Sequence, residues 1–256
     1  MAGWLLRHKL NDPAGAETHL RWYREIRSRK RAAAHPQLPE SPVQRQEKEA
    51  GPEGDGTLLP PLGNDVVVVC GLPRSGTSMI MQMLAAGGLP VLTDGKREAD
   101  EDNPLGYLEF DPVKQPRGYA DWIAQAAGKA VKVVAPLANL LPEGPAYRVI
   151  FIERDLDEVL RSQARMIERR GEQVEDTPER REHLRGEYAR MTERVKALFA
   201  ARTDAQLLVL AHADAMRNPE SAARRLNLFC GGELRVPEMT ACVRPELHRQ
   251  QNPSRA

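Results

Sequence analysis

VVVVC (residues 66–70), GLPRSGTS (71–78) and MIMQMLAAGG (79–88) run consecutively, and their order decides the fold. The first run is continuously apolar and β-branched, the mark of a strand buried on both faces. The helical pattern opens at Thr77, keeps its apolar residues at helical spacing and stops at two glycines. Between them lies a glycine- and hydroxyl-rich turn at the point where a helix begins. A helix N-terminus presents N–H groups with no intrahelical partner and the positive end of the backbone dipole, so it suits an anion. Gly71 and Gly76 let the backbone curl around a phosphate, and Ser75, Thr77 and Ser78 add hydroxyl donors.

The pattern repeats downstream. AVKVVA (130–135), YRVIFIE (147–153) and QLLVLA (206–211) read as further buried strands. Helices are expected over 119–128, 155–170, from Thr177-Pro178 onward, and from Asn218-Pro219 to Phe229. In the helix after Thr177, Leu184, Tyr188, Met191, Val195 and Phe199 form one apolar seam. Buried strands alternating with helices imply an α/β, three-layer phosphate-loop fold with a central parallel sheet, spanning 65–256.

Upstream, 1–34 reads as a basic helical segment, with Leu20, Tyr23 and Ile26 at helical spacing among arginines and lysines. It is either a surface for an acidic partner or a solvated helix with one docked stripe, and the second reading is favoured. Residues 35–64, rich in proline, glycine and charge, read as a flexible linker.

The 256 residues are 41% hydrophobic and 29% charged, which is globular composition, and the net charge of +1 gives no overall field toward nucleic acid or a membrane. Cys70, Cys230 and Cys242 are too scattered for a disulfide framework or zinc site, so they read as buried thiols in a reducing compartment. The apolar patch at Trp4, Leu5 and Leu6 precedes its charges instead of following them, unlike a secretory signal, and no stretch reaches membrane-spanning length. The expectation is a cytoplasmic protein.

Residues 71–78 match the ATP-binding loop GxxxxGK[ST] except that Thr77 stands where the lysine belongs. Kinases and ATPases need that lysine on their β/γ-phosphates. The loop therefore holds phosphate but is poorly built for ATP chemistry. PRSGT (73–77), following a buried strand and Gly71-Leu72, resembles the 5′-phosphosulfate loop of sulfotransferases that use 3′-phosphoadenosine 5′-phosphosulfate (PAPS), most of all the tyrosylprotein and bacterial branches. The resemblance implies that Arg74, Ser75, Gly76, Thr77 and Ser78 hold the phosphosulfate of PAPS. It also implies that Arg154, just past a strand, and Ser162, eight positions later, hold the 3′-phosphate. Lys132 matches the lysine of the family's lysine–threonine–histidine–leucine–proline strand end, and with Arg74 takes a catalytic role. The resemblance further implies PAPS as the co-substrate, no required metal, and a small-molecule or peptide hydroxyl or amine as the acceptor.

The chain departs from the family at two places. Val134 stands where the cytosolic enzymes carry a catalytic histidine, and their C-terminal glycine–glycine–lysine motif has no counterpart, leaving Arg244 or Arg249 to serve. The six histidines are expected to lie away from these motifs. The base is then sought in the acidic stretch after the first helix. Glu98 falls closest to the position of the tyrosylprotein glutamate, with Asp94 and Asp100 near it. Glu109 is the other contender, because apolar neighbours would raise its pKa. Two other readings remain: a kinase or NTPase with a degenerate loop and Glu153 as metal carboxylate, or an inactive PAPS-binding module.

Overall fold

A computed structural model describes residues 57–97, 99, 103, 106–114, 122–169, 171 and 177–244. The basic helix expected over 17–34 lies outside the described residues, as does most of the linker. Residues 57–64 run against the domain: the Leu59 amide donates to the Leu228 carbonyl at 3.1 Å.

Four strands form one parallel sheet: β1 (Val66–Gly71), β2 (Ala130–Val134), β3 (Tyr147–Glu153) and β4 (Ala205–Ala211), in the order β2-β1-β3-β4. The fold class is thus α/β with an all-parallel central sheet flanked by helices. The described helices are α1 (Thr77–Ala86), α2 (Leu156–Arg169), α3 (Pro178–Ala201), α4 (His212–Arg217), α5 (Pro219–Phe229) and α6 (Val236–Ala241). Of the helix expected over 119–128, residues 119–121 lie outside the described residues, and a 3₁₀ turn covers Ala124–Ala126.

Strand alternation divides the sheet between two apolar layers. Val67, Val69, Ile150, Ile152 and Leu210 face a core shared with α1, α5 and α6. On the opposite face α3 packs against β4 and against the 3₁₀ stretch Ala135–Leu140, with α2 beside it. Three strands are buried almost end to end; β4, at the edge, is only half-buried. Burial on both faces explains why β1 reads as an unbroken apolar run and β2 and β3 as largely apolar ones.

The strand order reverses between β1 and β3. From β1 the chain winds outward to β2; from β3 it winds the other way to β4. In parallel α/β sheets a crevice opens at such a reversal, outside the carboxyl ends of the strands. Gly71 and Ile152 are paired there, at the end of β1 and near the end of β3. A side chain at Gly71 has no room, since its Cβ would lie 2.7 Å from the Ile152 carbonyl oxygen and 2.5 Å from Ser75 Oγ.

The apolar run of β3 contains one charge that the hydrophobic pattern hides. Arg148 is only 2% exposed. It donates to Asp65 Oδ2 at 2.8 Å, to the Phe229 carbonyl at 2.9 Å and to the Pro61 carbonyl at 3.1 Å. One guanidinium therefore ties the entry segment and the end of α5 to the central sheet. Removing it leaves a carboxylate and two carbonyls short of their donor. Arg148→Met is expected to lower the unfolding free energy by roughly 2–4 kcal/mol in urea denaturation; a loss below about 0.5 kcal/mol would show that the clamp contributes little.

Candidate functional site

The turn between β1 and α1 has a specific backbone shape. Arg74 and Gly76 adopt positive φ values of 74° and 105°. For an arginine this is an unusual conformation, which persists only where surroundings fix it. Here α2 supplies the fixing. Gln163 Nε2 donates to the Pro73 carbonyl at 3.1 Å, and Arg154, just before α2, donates Nη1 to the Arg74 carbonyl at 3.1 Å. Arg74 Nε in turn donates to Ser162 Oγ at 3.0 Å. Two successive carbonyls are engaged by the α2 side of the crevice.

The remaining donors of the loop are placed for an anion. No side chain caps α1, whose N-cap is Gly76. Its first-turn N–H groups have no partner within the helix. Ser75 is 1% exposed, and its Oγ has no hydrogen-bond partner. A buried hydroxyl left without a partner costs roughly 1–3 kcal/mol, which a bound oxyanion would recover. A 10-residue helix with an uncapped N-terminus and a buried donor beside it is a ready anion cradle.

Arg154 sits at the carboxyl end of β3 with most of its surface covered. Its Nε is held by Glu158 Oε2 at 2.9 Å, and each side chain of this pair is 10% exposed. Burial lowers the Arg154 pKa, helped by the neighbouring charges of Arg74 and Arg161 and opposed by Glu158. Three arginines thus stand near one another, with Glu158 as the acid paired to Arg154. Glu153, the carboxylate of the NTPase reading, is engaged by Lys196 Nζ at 2.7 Å. Among the described residues no cluster of His, Cys, Asp or Glu has the makings of a metal site.

On the other side of the loop Lys132 points from β2 toward α1. It is 7% exposed, donates to Ser78 Oγ at 2.9 Å and bonds the Tyr107 carbonyl. Burial brings its ammonium pKa down from 10.5 to about 8, with help from Arg97, Lys114 and Arg74 and against the pull of Glu109. Arg97 lies over the Tyr107 ring, 3.3 Å from its centroid. The loop carrying Tyr107 is tethered to α1 through Gln82 Nε2, which donates to the Gly106 carbonyl at 2.7 Å and to Asn103 Oδ1 at 3.0 Å.

Two sequence expectations are corrected here. Glu109 was expected to have a raised pKa, yet its carboxyl sits below the ordinary value. Burial is the largest single influence and pushes it up, but Arg97, Lys114 and Lys132 together outweigh it. Arg97 Nη1 lies 2.8 Å and Lys114 Nζ 3.1 Å from its oxygens. The second concerns histidine. His212, at the end of β4, is 6% exposed and packs on the loop itself: a Cβ at Gly76 would lie 2.6 Å from its Cδ2. Its sequence signal was its position immediately after a parallel strand, the end at which ligands bind.

The other expected residues fall as follows. Arg74, Ser75, Gly76, Thr77, Arg154 and Ser162 gather at the β1/β3 crevice, while Ser78 joins Lys132. Asp94 accepts from the Asp111 amide at 2.8 Å through Oδ2. Glu98, Asp100 and Arg249 lie outside the described residues. Cys70 and Cys230 are buried, and burial pushes both thiols up to about 12, so neither is a nucleophile.

The Lys132 shift has a pH signature. The unfolded chain keeps the lysine proton up to about pH 10.5, whereas the folded chain releases it near 8. Between these values the unfolded state binds more protons, so this group makes stability rise with pH; below about 8 both states are protonated and the full cost of the buried charge is present. The stability of wild type relative to Lys132→Met is expected to increase from pH 7.5 to 10 in parallel denaturant titrations. A flat difference would show that Lys132 is not desolvated.

No family model matches the chain, and no curated protein matches it. Among solved structures, a sulfotransferase domain from the curacin biosynthetic pathway is similar to 77% of this chain over 93% of its own length, with 14% identity and a TM-score of 0.45.

Proposed function

We propose that the protein is a PAPS-dependent sulfotransferase that moves a sulfuryl group to an acceptor hydroxyl or amine. One observation carries the reading: two separate sets of hydrogen-bond donors, each suited to a phosphate, lie side by side at the β1/β3 crevice. The first is the uncapped N-terminus of α1 with the partnerless Ser75 hydroxyl. The second is Arg154 with Ser162, joined to the first through the Arg74 carbonyl and the Arg74 guanidinium. A nucleoside 5′-diphosphate needs only the first. A nucleotide carrying a further phosphate on its ribose uses both. Thr77 in place of the loop lysine, and Glu153 committed to Lys196, disfavour the kinase alternative.

The residues present suit PAPS. Gly76, Thr77 and Ser78 N–H groups and Ser75 Oγ would receive the 5′-phosphosulfate, and Arg154 with Ser162 the 3′-phosphate. PAPS supplies the activated sulfuryl group. In the transfer the acceptor oxygen or nitrogen bonds to sulfur, the bond from sulfur to the phosphate oxygen breaks, and negative charge collects on that oxygen. Arg74 and Lys132 neutralise it, and the α1 N-terminus adds its dipole. The acceptor proton goes to a general base. Glu109 is ill-suited, because its neighbouring cations hold it ionised and weakly basic. Glu98 is the proposed base, with Asp94 and Asp100 as the alternatives. No described helix is long and apolar enough to cross a membrane.

Calorimetric titration with 3′-phosphoadenosine 5′-phosphate (PAP) and with ADP tests the reading. Wild type is expected to bind PAP at least tenfold more tightly, and Arg154→Ala to lose most of that preference, since a charge-assisted contact contributes about 1.5–3 kcal/mol. Equal affinity for the two nucleotides in wild type sinks the proposal. In a PAPS-consuming assay over phenols, sugars, lipids and peptides, Glu98→Gln is expected to keep PAP affinity and lose roughly 10²–10⁴-fold in turnover. Normal turnover there with a dead Glu109→Gln moves the base to Glu109.

A further inference from the structure

The phosphate loop is held by residues that its motif does not contain. Behind Gln163, on α3, stands Tyr188, 1% exposed, whose hydroxyl donates to Gln163 Oε1 at 2.7 Å. Gln163 is itself 4% exposed, and its Nε2 donates to the Pro73 carbonyl at 3.1 Å. A primary amide has one acceptor end and one donor end. With the acceptor end fixed by Tyr188, the donor end can point only at the loop. The Tyr188–Gln163 bond is buried and the Gln163–Pro73 bond half-buried, and a lost partner is most costly where water cannot replace it.

The consequence for the loop follows from backbone direction. A loop that binds an anion must turn its N–H groups inward and its carbonyls away. The carbonyl of Pro73 immediately precedes the one residue, Arg74, that takes a positive φ without being glycine within the loop. Releasing that carbonyl lets the Pro73–Arg74 peptide rotate and Arg74 relax toward its ordinary conformation. The N–H groups would then no longer converge.

We infer that Tyr188 and Gln163 are a positioning pair, which sets the anion-binding shape of the phosphate loop from α3 and α2 without touching the ligand. The inference rests on the reading of residues 71–78 as a phosphate loop, but not on the 3′-phosphate. It therefore carries its own signature. Loss of the pair weakens every nucleotide that uses the loop by the same factor, whereas loss of Arg154 changes the preference between nucleotides.

The experiment is calorimetric titration of PAP and of ADP into wild type, Tyr188→Phe, Gln163→Leu and the double variant, with melting temperatures taken alongside. Tyr188→Phe removes one hydroxyl and keeps the ring in the seam of α3. It is expected to weaken PAP and ADP alike by about fivefold, leaving their ratio unchanged. The double variant is expected to bind no more weakly than Gln163→Leu alone, because Tyr188 acts through Gln163. Gln163→Glu gives a check in which the bond from Tyr188 survives while the bond to Pro73 is lost, and it is expected to weaken both nucleotides at least as much as Tyr188→Phe. A purely structural role would lower the melting temperature but leave the affinity of the folded protein unchanged. Wild-type affinity in Tyr188→Phe, or effects of the two single variants that add in the double, overturns the inference. If wild type binds PAP and ADP equally, the sulfotransferase reading fails, but the common loss of affinity still judges the pair.

Discussion

At Gly71 two backbones come so close that not even one carbon fits between them, and the rest of the site depends on that approach. The end of β1 lies against the Ile152 carbonyl, with the Ser75 hydroxyl closing over the same spot. The close approach lets β1 and β3 stay paired to their carboxyl ends while the connections leave in opposite directions. The crevice, the turn and the buried Ser75 oxygen are therefore one geometric fact. A larger residue at 71 would displace Ser75 or part the strands, and either change spoils the start of α1 as an anion site.

The second constraint is electrostatic. A chain whose formal charges nearly cancel collects Arg74, Arg154 and Arg161 near one another. Glu158 offsets part of this charge and orients Arg154 through Nε, while Nη1 holds the Arg74 carbonyl. From α2, Gln163 holds the Pro73 carbonyl and Ser162 accepts from Arg74, while Arg154 just before the helix holds the Arg74 carbonyl. The loop and Arg154 are therefore mechanically coupled. What orders the loop also orders the arginine beside it, and the two halves of the crevice are preorganised together.

The fold was legible in the sequence because burial on both faces leaves an unmistakable pattern. VVVVC and YRVIFIE could only be central strands, and Thr177 and Asn218 each cap a helix where their side chains suggest. The loop was legible because its glycines and hydroxyls answer a local backbone need. Lateral neighbours were not. His212 lies far along the chain from Gly76, and only the pairing of β4 beside β3 and β3 beside β1 brings the imidazole to the loop. Arg148 was hidden inside an apolar run, its three partners coming from the entry segment and from α5. Glu109 was misjudged for the same reason. Its apolar sequence neighbours were visible, but Lys114 and Arg97 reach it by the folding of an irregular loop.

That misjudgement clarifies the chemistry. Glu109 and Lys132 influence each other: the carboxylate supports the buried ammonium, and the ammonium helps keep the carboxylate ionised. A general base must gain a proton during the reaction, and a carboxylate already flanked by Arg97 and Lys114 is poorly disposed to do so. Its better use is to keep Lys132 charged in a place where burial would otherwise strip its proton. Under the proposed transfer, a charged Lys132 beside the first turn of α1 is what the departing phosphate oxygen requires. Glu109 is thus better read as a partner of Lys132 than as a free carboxylate.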